Sequence, residues 1–398
     1  MAKSKSTDHL ILPKKSLMQF LDTQQFISVI EFTGTNLIEG HIVKHRPRKF
    51  HAESGYYDSE VDKIIKKMET SIGVWRKKIA KYIESINLGN NTAKIDFIEM
   101  KNFAINLISL QYNRNVMVDS GLRSLFINSK ISELKELILF QRSIGNNHAI
   151  RELEFRLSQL QYFALDASEF PKFFQKKYMI DGNRVSQNIM IEEQYKDFVA
   201  TILFIPDEMK ASFLLTPQHY FAVDTVARII LGPRLAIGLY HKNIEIPDCR
   251  IIKVTEEEAF SFVARSIESA LEMTEDGFKQ LIGEESFLQK VETAIKTCNS
   301  MIKEDSESEI CTIRSCSEMN ENIFSILIIL LYKCGIKKAL LYITTELYDA
   351  LTAYDWKIML KNCGIEMAIV SSDEICNSFA KCFKTEKEAV EFLDNIGI

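Results

Sequence analysis

Residues 198–240 read FVATILFI (198–205), SFLLT (212–216), HYFAV (219–223), ARIILG (227–232) and LAIGLY (235–240). These runs are short, rich in β-branched and aromatic residues, and separated by Pro or Gly. Together with CRIIKV (249–254) they predict an antiparallel meander. The chain before them reads differently. From Ser59 to Ile86 the apolar positions Val61, Ile64, Ile65, Met68, Ile72, Trp75, Ile79, Tyr82, Ile83 and Ile86 recur in steps of three and four, one face of a long helix. Asn87–Asn91 stops it, and further helices are predicted from Thr92 to about Asn113, Ser129 to Ile144 and Ala149 to Phe163. A strand at Phe26–Phe32 precedes this helical layer. The first three hundred residues therefore read as α+β.

The last ninety residues alternate. Strands are expected at Ile310–Arg314, Ala339–Thr344 and Glu366–Ser371. Helices are expected at Asn320–Cys334, Leu347–Cys363, Asp373–Cys382 and Thr385–Asn395. A βαβαβα series implies a small α/β domain with a mostly parallel sheet. Gly335 and Gly364 stand where C-cap glycines belong. The segment KEDSESE (303–309) is acidic and lacks large apolar residues. The predicted organisation is an α+β domain over 1–300, an acidic linker over 301–309 and an α/β domain over 310–398.

Composition divides the chain similarly. All seven prolines lie at or before Pro247, all seven histidines at or before His241, and all eight cysteines at or after Cys249. Residues 1–250 hold 34 Lys and Arg against 28 Asp and Glu, a net of +6; residues 251–398 hold 15 against 26, a net of −11. The positive excess is too small to demand nucleic acid. The longest apolar stretch, Ile323–Tyr332, is broken by Ser325 and is far short of the ~20 residues of a membrane span. With no apolar segment behind the charged N-terminus, a cytoplasmic protein is expected. The cysteines show no C-x-x-C and no histidine follows them, so neither zinc nor a disulfide framework is expected, and the thiols read as small buried hydrophobes. No phosphate loop, dinucleotide fingerprint, zinc-protease motif or nucleophile elbow is present, so no cofactor is expected.

Three constellations could carry chemistry. The run His41, Lys44, His45, Arg46, Arg48, Lys49, His51 could grip phosphates, with Arg46, Arg48 and Lys49 as the candidates, or be a solvated loop. Glu60, Asp62 and Glu69 lie on the long helix, but Glu60 and Glu69 are about 180° apart there. Arg114, in Leu110–Asn115, could pair with the carbonyls at the predicted helix end or face inward as an anion anchor. Glu69, Arg114 and His219 are the catalytic candidates.

The opening Leu10-Ile-Leu-Pro13-Lys-Lys-Ser-Leu17-Met-Gln-Phe20 resembles the H-x-x-P-x-x-Y-L-x-x-F start of the prokaryotic "domain of unknown function 4238". Phe50–Tyr57 before the helix bearing Glu60 and Glu69, Gln111-Tyr-Asn-Arg114, and Phe213–Tyr220 followed by Ile229–Ile237 resemble its later blocks, in order, over about residues 8–290. The sequence departs from that family at polar positions: the family histidine falls on Leu10, with His9 one place off, and its S-D-N-P aspartate falls on Pro217. The resemblance implies a fold, a prokaryotic intracellular setting and an accessory role in bacterial conflict systems. It implies no reaction. Gly364–Val370 and Cys382–Leu393 resemble the close of a sulfate-transporter/anti-sigma-antagonist (STAS) domain. Three function classes follow: an interaction or regulatory protein that docks a protein partner through its acidic C-terminal domain, with homo-oligomers allowed; an enzyme acting on nucleic acid or another phosphate ester, such as a toxin or defence nuclease; and a nucleotide or small-molecule sensor. Motif absence favours the first.

Overall fold

The computed structural model describes residues 8–395, except 11, 13, 48, 49, 51, 55–58, 90–92, 181–192, 219, 224, 225, 275–277, 304–309, 344–355, 371–380 and 384. The chain opens with β1 (Asp8–Leu10), α1 (Lys14–Leu17), β2 (Ile27–Thr33), β3 (Glu39–His45) and β4 (Ala52–Ser54). Helices follow: α2 (Ser59–Asn87), α3 (Phe97–Val118), α4 (Ser120–Ser143), α5 (Asn147–Leu165) and α6 (Phe170–Phe174), which runs into a π-helical turn, Gln175–Ile180. Next come β5 (Phe198–Phe204), β6 (Tyr220–Val223), β7 (Val226–Gly232), β8 (Leu235–His241), β9 (Ile251–Lys253), α7 (Glu256–Ser261), α8 (Val263–Leu271), β10 (Gln280–Gly283) and α9 (Glu285–Met301). The chain closes with β11 (Ile302–Lys303), β12 (Ile310–Arg314), α10 (Glu321–Lys333), β13 (Lys338–Tyr342), α11 (Trp356–Cys363), β14 (Glu366–Val370), β15 (Lys381–Phe383) and α12 (Glu386–Asp394). The architecture is α+β.

The meander forms a five-stranded sheet in the order β6-β7-β8-β5-β9. Four of its strands are antiparallel as read. The fifth corrects the sequence reading: β9 pairs parallel with β5, Ile202 opposite Ile251. The chain reverses direction in the turn 242–250 after β8 and lays β9 along the other edge of β5, so the two run parallel. Ser212–Thr216 forms no strand; its one ladder contact is the bridge from Leu215 to Ile282. That contact ties it to β10, the outer strand of a second sheet, β10-β2-β3. Strand β10 carries no local strand signal, because QLIG is only four residues long.

In the C-terminal part β12, β13, β14 and β15 run parallel and β11 adds antiparallel to β12. The helix expected over Asp373–Cys382 is corrected at its end: Lys381 and Cys382 belong to β15, which pairs with Ala368–Val370. The rest of that stretch, and 347–355, lie outside the described residues. Gly335 and Gly364 have φ of +76° and +64° at the ends of α10 and α11, the left-handed geometry a C′ glycine supplies.

The seam near 300–309 separates sheets but not cores. Met301 is the last residue of α9 and is buried, and Ile302 and Lys303 are the strand β11. One apolar cluster runs from Leu12 through Leu288, Val291 and Ile295 of α9 to Phe324, Leu327 and Leu331 of α10 and on to Ile369. The Cys298 thiol lies 3.4 Å from the Ile323 carbonyl across that junction. No helix among the described residues is long and apolar enough to cross a membrane.

A separate aromatic cluster of Phe126, Phe163, Phe170 and Phe174 anchors the base of the α4–α5 hairpin. Beyond that base only Ile138 of α4 is buried.

Candidate functional site

Two of the three catalytic candidates meet. Helix α3 does not end at Asn113 but continues to Val118, so Arg114 sits inside it and cannot cap its carbonyls. That role falls to Arg123, which donates to the Met117 carbonyl. Arg114 points toward α2 instead, with its Nη2 3.0 Å from Glu69 Oε1. Arg114 is 1% exposed and Glu69 16%. The surroundings are polar: Gln111, Asn113, Asn115 and Asp119 are all buried on the same stretch of helix. Gln111 Nε2 donates to Asn115 Oδ1 at 3.1 Å and to the Pro217 carbonyl at 2.8 Å. The second bond joins two segments that the sequence singled out 106 residues apart. His219 lies outside the described residues. Glu60 is exposed, and Asp62 pairs with Lys66 along the same helix.

Three members of the basic run, His41, Lys44 and His45, lie against carboxylates. Lys44 Nζ lies 2.9 Å from Glu285 Oε2 and 3.5 Å from Asp22 Oδ2, and the hydrogen bond to Glu285 holds the amine above its ordinary pKa. His45 Nε2 lies 2.8 Å from Glu31 Oε1, and His41 Nε2 3.3 Å from Glu39 Oε2. Arg46 is exposed, its guanidinium 5.7 Å from the Phe26 ring centroid. Arg48, Lys49 and His51 lie outside the described residues.

One polar group was not legible in advance. Glu31 Oε1 accepts from both His45 and Gln280 Nε2, the latter at 3.1 Å, because β2 pairs with β3 on one side and β10 on the other. A lone Glu in the strand ISVIEFT was the available signal. This group borders a cavity of about 450 Å³ lined by Glu31, Thr33, Lys279 and Lys333 among others.

The side chains of six cysteines are described, and all six carry free thiols. Burial pushes Cys298 upward and raises Cys311 to about 11, so neither is set up as a thiolate nucleophile. Among the described residues no three His, Cys, Asp or Glu side chains gather as metal ligands.

No family model, curated protein or solved structure matches this chain.

Proposed function

We propose that this is an interaction protein that works by assembly rather than by catalysis. The observation that supports it is the α4–α5 hairpin. Of the thirteen large apolar side chains that stand exposed among the described residues, eight lie between Leu125 and Leu165. They are ordered. Leu137, Phe140 and Ile144 follow one another at i, i+3 and i+7, and Phe155 and Tyr162 at i, i+7, so each helix carries an apolar stripe that its partner helix does not cover. A single aromatic side chain buries roughly 150–250 Å² when covered. Eight side chains more than a third exposed therefore offer on the order of 800 Å², one partner's share of a standard interface.

The occupant is a second copy of the chain. The hairpin holds six Lys and Arg and four Glu, a nearly balanced set. Several of these charges are paired within the hairpin, as in Arg142–Glu154 at 2.8 Å and Lys130 with Glu133. Such a surface neither repels its own copy nor recruits a highly charged macromolecule. Two antiparallel hairpins related by a two-fold axis close into a four-helix bundle. By contrast, the described part of 310–398 exposes one large apolar side chain, Tyr332. Docking of a further protein partner through that acidic part belongs to the proposal as the use made of the assembled body. So does a cytoplasmic setting, supported by the free, largely shielded thiols.

The test is light scattering after size exclusion. The wild type is expected at twice the chain mass of 45.8 kDa, and Phe140→Glu/Phe155→Glu at the single-chain mass with unchanged circular dichroism. A wild type that stays monomeric at about 100 µM overturns the reading.

A second reading, an enzyme acting on nucleic acid or another phosphate ester, is favoured by one observation: Glu69, Arg114, Gln111 and the Pro217 segment converge. The same convergence supports kinship with domain of unknown function 4238. Against the enzyme stands the burial of Arg114 behind Glu69. Hydrolysis of bis(p-nitrophenyl) phosphate that Arg114→Lys abolishes would establish it.

A further inference from the structure

The cavity of about 450 Å³ lies between the β2–β3 hairpin, the end of α8, the entry to β10 and the last residue of α10. That volume falls in the ~300–1,000 Å³ range of small-molecule sites, and such sites favour junctions between structural units. Here the junction is real: Lys279 belongs to the body before residue 300 and Lys333 to the first helix of the α/β part. The walls are held in place by backbone. Phe32 N donates to the Lys279 carbonyl at 3.0 Å, which fixes the backbone of that residue beside β2. Gly34, at φ +90°, makes the turn that sets Thr33 and Thr35 on the rim; a Cβ there would lie 2.1 Å from the Leu37 carbonyl oxygen.

The chemistry of the lining selects a class of ligand. Its lining includes Lys279, Lys333, Thr33 and Thr35, whose ammonium and hydroxyl groups are hydrogen-bond donors; the Lys333 ammonium also lies 4.9 Å from the Tyr332 ring centroid. Its one carboxylate, Glu31, has an oxygen already accepting from His45 and Gln280. Half-buried Leu271 supplies an apolar wall. We propose that the cavity binds a small organic anion, a carboxylate or phosphate monoester on an apolar body, with Lys279 and Lys333 on its charge and Leu271 along its apolar part. Lysine is a competent point-charge ligand for such groups. An anion held by both lysines adds a contact between the α/β part and the body, which already share one apolar core. This site is independent of the hairpin and of its assembly.

Isothermal titration of the full chain with phenyl phosphate and with benzoate tests it and tells the two anion types apart. At least one probe is expected to bind saturably. Lys279→Gln/Lys333→Gln is expected to weaken that binding tenfold or more. Leu271→Trp, which fills the cavity and leaves both lysines, is expected to abolish it, so a misfolded lysine variant does not decide the matter. No binding of either probe up to about 10 mM overturns the site. So does equal binding by the wild type and a folded variant.

Discussion

Arg114 Nη2 rests 3.0 Å from Glu69 Oε1, and the guanidinium is almost wholly out of water. A carboxylate from α2, 45 residues earlier in the chain, thus pairs with the charge on α3. Removing one member of such a pair leaves the other charge buried, at a cost of about 3–5 kcal/mol.

Glu69→Ala is therefore expected to lower the unfolding free energy by about 3 kcal/mol in urea titration. Glu69→Leu/Arg114→Met, which removes both charges, is expected to cost clearly less than the two single changes added together. Additive losses would mean that the two side chains do not act as a pair.

Asp119 locks the root of the hairpin. Its Oδ1 accepts from Leu122 N and Thr274 Oγ1, and its Oδ2 from Thr274 N, all at 2.8 Å. Gly121 N donates to Thr274 Oγ1 at 3.0 Å, and a Cβ at Gly121 would lie 2.2 Å from Thr274 Cγ2. Asp119→Ala removes a helix cap, at about 1 kcal/mol, and two further bonds of about 1 kcal/mol each. Gly121→Ala pushes Thr274 aside. Both are expected to speed amide exchange over 120–128 by at least tenfold while leaving β5 and β8 protected. Uniform loss of protection across both regions would show that the hairpin is not anchored there.

What the sequence showed follows from the range over which its signals act. The α2 face from Val61 to Ile86 and the alternation of 310–398 are local periodicities, and they gave the α+β class. The parallel pairing of β9 and the strand β15 depend on neighbours brought from elsewhere, and no local pattern carries them. Leu137, Phe140 and Ile144 were readable as a helical stripe. Periodicity alone does not distinguish a stripe covered by its own core from one left open. Glu69 and Arg114 were legible as single candidates; their contact was not, because nothing in either segment specifies the other's position. The Glu31–His45–Gln280 group needs three strands side by side, and β10 was the one not foreseen.

Gly34 gives a test of the cavity wall that is separate from ligand binding. Its φ of +90° and the 2.1 Å approach to the Leu37 carbonyl leave no room for a side chain. Gly34→Ala is expected to destabilise by more than 1 kcal/mol, the scale of backbone strain at such positions. Gly73, with nothing within 4 Å of its added Cβ and a helical backbone, is the control: Gly73→Ala is expected to stabilise by about 0.5–1 kcal/mol. Equal effects at the two positions in thermal melts would refute the strained turn.

The buried thiol of Cys298 and the half-buried thiol of Cys311 give the chain an alkaline limit. In the unfolded chain a cysteine ionises near pH 8.5. In the fold, burial raises Cys311 to about 11 and pushes Cys298 higher still. Between these values the unfolded state has released protons that the native state still holds, so unfolding is favoured as pH rises. Stability from these two groups is full below about pH 8 and falls steadily from about 8.5 toward 11. The urea midpoint of the wild type is therefore expected to be flat between pH 7 and 8 and to drop between pH 9 and 10.5. Cys298→Ala/Cys311→Ala removes both titrations. Its midpoint starts lower, because Cys298 fills core space, but its slope above pH 9 is expected to be shallower by up to two protons. Slopes are compared rather than midpoints, so the packing loss does not enter. Native alkylation at pH 8 offers a second check: iodoacetamide is expected to spare Cys298 and Cys311 until urea is added. Identical slopes together with rapid native labelling would show that these thiols are not held in the interior.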